Sequence, residues 1–272
     1  MPLFTDQLGR TISLDRPPRQ IISLVPSQTE LLYTLGLEEE VVGITKFCVH
    51  PPSWFRHKTR IGGTKDIRPD IIRTLQPDLI IANKEENEKG QIEELMLHYP
   101  VWVSDVQTLP DALSMIRSLG HLTGKDQEAQ SLAEEIDRRF TALASPGSPV
   151  ASPRTAYFIW RNPWMVAGGD TFIHEILQHA GLINIFQHHT RYPSIELEEL
   201  KRSGCDLVLL SSEPYPFKER HIAEIREVLP QATIRLVDGE IFSWYGSRLL
   251  QAPAYLQELW SQFQGSGSNK AL

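Results

Sequence analysis

Between Lys125 and Ala144 the apolar residues Ala129, Leu132, Ala133, Ile136, Phe140 and Leu143 recur at three-and-four spacing, and Glu134, Glu135, Asp137, Arg138 and Arg139 fall off that stripe. Apolar residues at that period line one side of a helix, so the spacing predicts an amphipathic helix over 125–144. Neither glycine nor proline interrupts it. Gly124 stands before it, and Ser145-Pro-Gly-Ser-Pro149 follows, where the prolines forbid continuation. About five turns, roughly 30 Å at ~1.5 Å per residue, are enough to cross a small domain.

On both sides of this helix the pattern alternates between short apolar runs and helical stripes. Phe4 to Leu14 reads as a hairpin turning at Gln7-Leu-Gly-Arg10. Then come a strand at Gln20–Val25 and a helix at Glu30–Leu35, capped by Ser27 or Thr29 and stopped by Gly36. A strand at Val41–Ile44 leads into a long loop, Thr45 to Thr64, and a short helix follows at Asp70–Leu75. Strand Pro77–Ala82, helix Glu88–His98, strand Val101–Ser104 and helix Asp111–Leu122 complete the first half. The second half gives strand Ala156–Trp160, helices Phe172–Ala180 and Glu196–Ser203, and strand Asp206–Ser211. Helix Lys218–Leu229, strand Ile234–Val237 and a helix from Arg248 to Phe263 follow, before a frayed polar tail, Gln264 to Leu272. Such alternation predicts an α/β fold of mostly parallel sheets covered by helices.

The halves echo one another. TELLYTLGL at 29–37 aligns with HEILQHAGL at 174–182, and the stretch from Asp70 to Ile81 aligns with that from Glu198 to Leu209. Two echoes in the same order, on opposite sides of one uninterrupted helix, point to duplication. The expected organisation is two Rossmann-like α/β lobes, 1–123 and 150–264, hung on a connecting helix, 124–145, with a tail at 265–272. The cleft between the lobes is the expected working site. The same register pairs Asp70 with Glu198.

The chain has 272 residues, 41% hydrophobic and 22% charged, which allows each lobe a core of its own. A net charge of -7 and a pI near 5.7, with no run of lysine or arginine, argue against a nucleic-acid partner. No 18-residue apolar run occurs, so no membrane span is expected. MPLFTDQLGRTISL lacks the basic segment, apolar core and cleavage site of a secretory signal; as given, the chain is expected in the cytoplasm unless an export signal was removed. Cys48 and Cys205, far apart and outside any CxxC, read as two unpaired thiols.

No phosphate-binding loop, dinucleotide fingerprint or nucleophile elbow occurs. Ala167-Gly-Gly-Asp170, between a strand and a helix, reads as a turn, although its N–H groups could hold an anion. No HExxH is present, His174 and His179 do not share a helix face, and no other histidine pair has ligand spacing, so no metal site and no catalytic residue is assigned. The expected inter-element loops carry aromatic and cationic side chains instead. They are His50, Trp54, Lys65, Arg68, Asn83 and Lys84 in the first half, and Trp160, Arg161, Trp164, Arg191, Tyr192, Phe242, Trp244, Tyr245 and Arg248 in the second. Loops at the carboxyl ends of strands line the ligand crevice of α/β sheets, where rings offer flat apolar area and arginine grips anions. Each aromatic could equally be core; Trp102 and Trp260 are assigned there.

Several stretches together resemble one family. They are Phe4-Thr-Asp-Gln-Leu-Gly-Arg10, Gln20-Ile-Ile-Ser-Leu-Val-Pro-Ser-Gln-Thr-Glu30, Gly36-Leu37 with Val42-Gly43-Ile44, His50-Pro-Pro52, Pro77-Asp-Leu-Ile-Ile81, and Ala167–Phe172 through Gly181–Phe186. In order and over nearly the whole chain, these resemble the helical-backbone (class III) substrate-binding proteins of ABC importers, nearest to the vitamin B12-binding branch. The resemblance implies a monomeric binding protein, not an enzyme, with no cofactor of its own, held nearly rigid by its helix. Its implied ligand is a metal chelate, a cobalamin or other corrinoid first and haem or a ferric siderophore next. Its implied partner is a permease dimer, and its implied place is the periplasm or cell surface. An aromatic-rich corrinoid pocket would draw on His50, Trp160, Trp164, Trp244 and Tyr245, although Thr64 and Asn83 stand where that branch has aromatics. Arg161, Tyr192 and Arg248 would suit an anionic chelate. Asp70, with Asp where Glu is usual, and Glu198 match the family's transporter-docking carboxylates. A cytoplasmic corrinoid-handling protein or enzyme, and a zinc or manganese receptor, are the alternative readings.

Overall fold

A computed structural model describes residues 2–143 and 152–267. The predicted helix stop at 145–149 and the last five residues of the tail lie outside them. The chain divides into two compact units: Met1–Asp137 with Trp244–Arg248, and Arg138–Ser243 with Leu249–Leu272.

The first unit opens with the antiparallel hairpin β1 (Leu3–Thr5) and β2 (Thr11–Ser13). It continues as β3 (Ile21–Ser23), α1 (Pro26–Thr34), β4 (Val41–Ile44), α2 (Pro52–His57), β5 (Thr59–Arg60), α3 (Pro69–Leu75) and β6 (Leu79–Asn83). Then come α4 (Lys89–Met96), β7 (Val101–Ser104), α5 (Leu109–Thr123) and α6 (Asp126–Ala142). Its sheet is parallel throughout, in the order β5-β4-β3-β6-β7. Buried on both faces, β3, β6 and β7 read as continuous apolar runs.

The second unit contains β8 (Arg154–Trp160), β9 (Met165–Val166), α7 (Phe172–His179), β10 (Ile183–Asn184), α8 (Leu197–Arg202) and β11 (Leu207–Ser211). It goes on through α9 (Glu219–Val228), β12 (Thr233–Val237), α10 (Gly239–Ser243), a 3-10 turn at Ser247–Leu250 and α11 (Ala252–Gly267). Four parallel strands run β10-β8-β11-β12, and β9 pairs antiparallel with β8.

Strand for strand, β4-β3-β6-β7 of one unit matches β10-β8-β11-β12 of the other, and α1, α3 and α4 match α7, α8 and α9 in chain position. The echoed residues do the same local work. Gly36 and Gly181 take positive φ, 75° and 70°, just past α1 and α7, as a left-handed helix end requires. Each is followed by a leucine whose N–H reaches back over the last turn, Leu37 to the Leu32 carbonyl (3.1 Å) and Leu182 to that of Leu177 (2.9 Å). The duplication written in the sequence is therefore a duplication of topology.

The stripe of α6 is buried along its whole length: Ala129, Ala133 and Ile136 are 0% exposed, Phe140 4%, and Leu132 and Leu143 9%. Its N-terminal part packs on α5, where a side chain on Gly120 would bring a Cβ within 2.2 Å of the Ala129 Cβ. Further along, the Phe140 ring meets His179 edge-on at 5.1 Å. The division between the units falls within α6, at Asp137 and Arg138.

Four elements differ from the sequence expectation. α1 begins at Pro26, four residues before the expected Glu30, because proline's fixed φ suits the first helical position. Ser27 and Thr29 therefore do not cap it; the Thr29 hydroxyl donates to the Val25 carbonyl inside the first turn. The expected loop at 45–64 holds α2 and β5, with Pro52 again opening the helix. The last helix breaks at Gln251, because Pro253 cannot continue a helix from upstream, and the tail stays helical to Gly267.

Candidate functional site

Parallel strands deliver their following loops to one edge of a sheet, and chemistry gathers there. In the second unit β8 ends on Trp160, which is 39% exposed. Its ring meets Tyr215 at 5.6 Å; Tyr215 meets Phe217 at 4.8 Å; and Phe217 lies parallel to Trp164 at 6.1 Å, only 7° off plane. Trp164 also stands edge-on to the buried Phe158 at 5.5 Å, which ties the group to the core. Arg161 lies across the Trp164 ring, 5.1 Å from its centre, and its Nε and Nη2 donate to Glu224 Oε2 at 2.8 and 2.7 Å. His221 closes the group. Its Nδ1 accepts the Lys218 N–H at 2.8 Å, and its Nε2 lies 3.2 Å from the Tyr215 hydroxyl. Burial first, and the charges of Arg220 and Arg161 after it, hold this imidazole below its ordinary pKa, so it sits there neutral.

In the first unit the ring-bearing group is assembled from distant parts of the sequence. The segment Trp244–Arg248 belongs to this unit although the chain on either side of it belongs to the other. Gly246 makes the approach possible, since a Cβ there would stand 2.6 Å from the Ser27 carbonyl oxygen. Arg248 holds the segment to α1: its Nη2 and Nε donate to the two carboxylate oxygens of Glu30 at 2.6 and 3.1 Å. Its guanidinium also covers the Trp244 ring at 4.8 Å, and Trp244 meets the His50 ring edge-on at 5.6 Å. Trp244 and Tyr245 are each 6% exposed.

The structure thus groups Trp160, Arg161 and Trp164 in one unit, and His50, Trp244, Tyr245 and Arg248 in the other. Three further candidates lie in the interior. Trp54 is 1% exposed on α2, edge-on to Tyr33 at 5.4 Å. Asn83, 2% exposed, donates to the Ser104 carbonyl and accepts the N–H groups of Glu85 and Glu86, so its amide shapes the turn after β6. Phe242 is fully buried against Tyr157 at 4.9 Å. Lys65 stands exposed in the turn before α3, and Tyr192 is half-buried in the segment that extends the β9 pairing. Sequence reasoning missed Tyr215, Phe217, Glu224 and Glu30. The first two follow β11 directly, so the same carboxyl-end rule could have found them.

Two other features remain distinct from these groups. Ala167–Asp170 is a turn: the Gly168 and Gly169 N–H groups donate to the carbonyls of Arg191 and His189 at 2.8 and 2.9 Å. A cavity of about 240 Å³ lies between α3 and α4, lined by Pro69, Arg73, Gln91, Glu94, His98 and Tyr99 among others, and none of the rings above borders it. Among the described residues, no three His, Cys, Asp or Glu are placed to hold a metal ion, and no helix is long and apolar enough to cross a membrane.

Asp70 and Glu198 occupy matching places. Each is the second residue of its helix, α3 or α8, each is exposed, and each helix leads into the strand beside the first strand of its sheet. Asp70 pairs with Arg68 at 3.0 Å on the surface.

Two α/β units of one topology each carry aromatic and paired cationic side chains, and comparison with known proteins places the chain among substrate-binding proteins. The chain belongs to the periplasmic binding protein family, whose sequence profile matches residues 21–229. It is 25% identical over 261 residues to the vitamin B12-binding protein of Pectobacterium carotovorum, covering 93% of this chain and 92% of that protein. The fold is that of the periplasmic vitamin B12 binding protein BtuF of Vibrio cholerae, with a TM-score of 0.78 at 22% identity, over 91% of this chain and 98% of that one. It is shared equally by the periplasmic heme-binding protein BhuT in complex with two hemes, with a TM-score of 0.80 at 19% identity, over 91% of this chain and 99% of that one.

Proposed function

We propose that this protein captures a metal chelate, a cobalamin or other corrinoid before haem or a ferric siderophore, and delivers it to an ABC importer. The observation that carries this reading is the connected run of rings from Trp160 through Tyr215 and Phe217 to Trp164. Edge-to-face from Trp160 through Tyr215 to Phe217 and parallel from Phe217 to Trp164, these rings gather apolar area beside the end of a strand, which a macrocycle can use. The relatives named for vitamin B12 favour a corrinoid as occupant. The role is binding rather than catalysis, and it places the protein on the periplasmic or outer side of the membrane, as a monomer that meets a permease dimer. Asp70 and Glu198 supply two separated negative charges for docking on basic pockets of that permease.

Titration with cyanocobalamin, haemin and ferric siderophores, followed by tryptophan fluorescence, tests the ligand. Micromolar or tighter binding of a corrinoid is expected, and no binding of any of them would end the reading. Asp70→Arg with Glu198→Arg is expected to abolish delivery to the transporter while binding persists; lost binding would show that these residues do other work.

A further inference from the structure

The two arginines nearest the tryptophans are arranged alike in the two units. Arg161 lies 5.1 Å from the Trp164 ring centre and donates twice to Glu224; Arg248 lies 4.8 Å from that of Trp244 and donates twice to Glu30. These ion pairs are partly or largely withdrawn from water: the side chains are 26% and 37% exposed for Arg161 and Glu224, and 11% and 16% for Arg248 and Glu30. A guanidinium gripped on one edge by a carboxylate keeps its flat face for an aromatic ring, but its charge is cancelled. Three groups stand around Arg161. Glu224 answers it, His221 is held neutral, and the exposed Arg220, its Nε 3.2 Å from His221 Nε2, adds a positive charge nearby.

We infer that Glu224 is a specificity-determining residue, which neutralises Arg161 and so selects a flat chelate of low net charge over one bearing carboxylates. This rests on the reading that the group from Trp160 to Trp164 meets the ligand, and it narrows the ligand class within that reading. An anionic chelate would have to compete with a carboxylate already in place, because one guanidinium edge cannot serve both at full strength. A chelate of low charge needs only apolar ring surface and makes no such demand on the arginine.

Haemin, a flat chelate with two carboxylates, is the probe. Its affinity is measured by tryptophan quenching for the unmodified protein, for Glu224→Gln and for Arg161→Gln combined with Glu224→Gln. Circular dichroism establishes that each variant is folded. Glutamine keeps the shape and one acceptor but cancels no charge. Glu224→Gln is expected to tighten haemin binding roughly tenfold, and the added arginine substitution is expected to abolish that gain. Haemin binding to the unmodified protein is expected to be weak and insensitive to salt between about 50 and about 500 mM. An unchanged haemin affinity in folded Glu224→Gln, or a gain that survives the loss of Arg161, would overturn the inference. So would strong, steeply salt-dependent binding of haemin to the unmodified protein, a measurement that needs no variant to fold. Cyanocobalamin binding to the unmodified protein separately tests the functional reading, so either can fail without the other.

Discussion

Asp78 and Asp206 hold the first strand of their respective sheets in the same way. The Asp78 carboxylate accepts the backbone N–H groups of Arg19 and Gln20 at 2.8 Å each, and its own N–H returns to the Gln20 carbonyl at 3.0 Å. Asp206 accepts the Arg154 N–H at 2.9 Å and returns its own to the Arg154 carbonyl at 2.8 Å. Each aspartate stands just before the strand that pairs with the one it clasps, β6 beside β3 and β11 beside β8. The Asp-Leu phrase shared by the two halves is thus a reciprocal clamp that sets strand register at the sheet's entry.

Removing either clamp costs stability rather than binding. Asp78→Ala and Asp206→Ala are each expected to lower stability by about 1 kcal/mol, modest because water can replace a partner at these solvent-facing sites. The clamps share no partner, so the double variant should equal the sum of the singles in urea titration. Strong coupling between them would show that the clamps are not independent.

Much of this architecture was legible because it is local. The period of α6, the glycines that end α1 and α7, and the apolar runs of β6 and β11 are set by neighbours a few residues away. The ring-bearing loops were legible only as a class. Whether Trp54 faces ligand or core depends on Tyr33, and the fate of Asn83 depends on Ser104; no local spacing carries either contact. The least legible features were the ion pairs. Glu30 and Arg248 stand at opposite ends of the chain and meet because Gly246 lets a late segment lie against α1. Arg161 and Arg248, read as candidate anion contacts, prove to be committed to carboxylates.

The aromatic residues therefore separate by the assay they affect. Trp54→Ala and Phe242→Ala empty space in unit interiors and should cost about 3–5 kcal/mol of stability. Trp160→Ala and Trp164→Ala should instead weaken corrinoid binding by on the order of 1–3 kcal/mol, with little change in the urea midpoint for the exposed Trp160. If Trp54→Ala alone weakened binding in a protein of unchanged stability, its assignment to the interior would be wrong.

Gly169 is required by a close approach of backbone to backbone. A Cβ there would stand 2.0 Å from the Gln187 carbonyl oxygen, and one on Gly168 2.4 Å from that of His189. The His189 carbonyl cannot move without losing the Gly169 N–H it accepts at 2.9 Å. Gly169→Ala is expected to destabilise by about 3 kcal/mol, in line with overpacking of a rigid contact. A urea midpoint equal to that of the unmodified protein would refute the close approach.

Neither thiol should react while the protein is folded. Cys48 lies between the hydroxyls of Thr29 and Thr45 at 3.1 Å each, and burial pushes its thiol up. Cys205 donates to the Leu207 carbonyl at 3.2 Å, and burial pushes it up to about 12. At pH 8 almost no thiolate is present to attack a reagent. Iodoacetamide should label neither cysteine in native protein and both in denaturant, as read by intact mass. Rapid native labelling of either would mean that its surroundings open readily.

Acid should weaken the second unit through two histidines. Burial holds His174 and His221 below the ordinary imidazole pKa of 6.5, so the unfolded chain binds protons that the folded one refuses. Their contribution to stability is fully present above pH 6.5 and is lost as pH falls from there through the lowered folded values. The urea midpoint is therefore expected to fall from pH 7 towards pH 5. Replacing both residues with asparagine should flatten that slope, since an asparagine oxygen can still accept the Lys218 N–H but cannot take up the proton. A slope unchanged in the double variant would assign the acid sensitivity to other groups, the carboxylates of the surface ion pairs first among them.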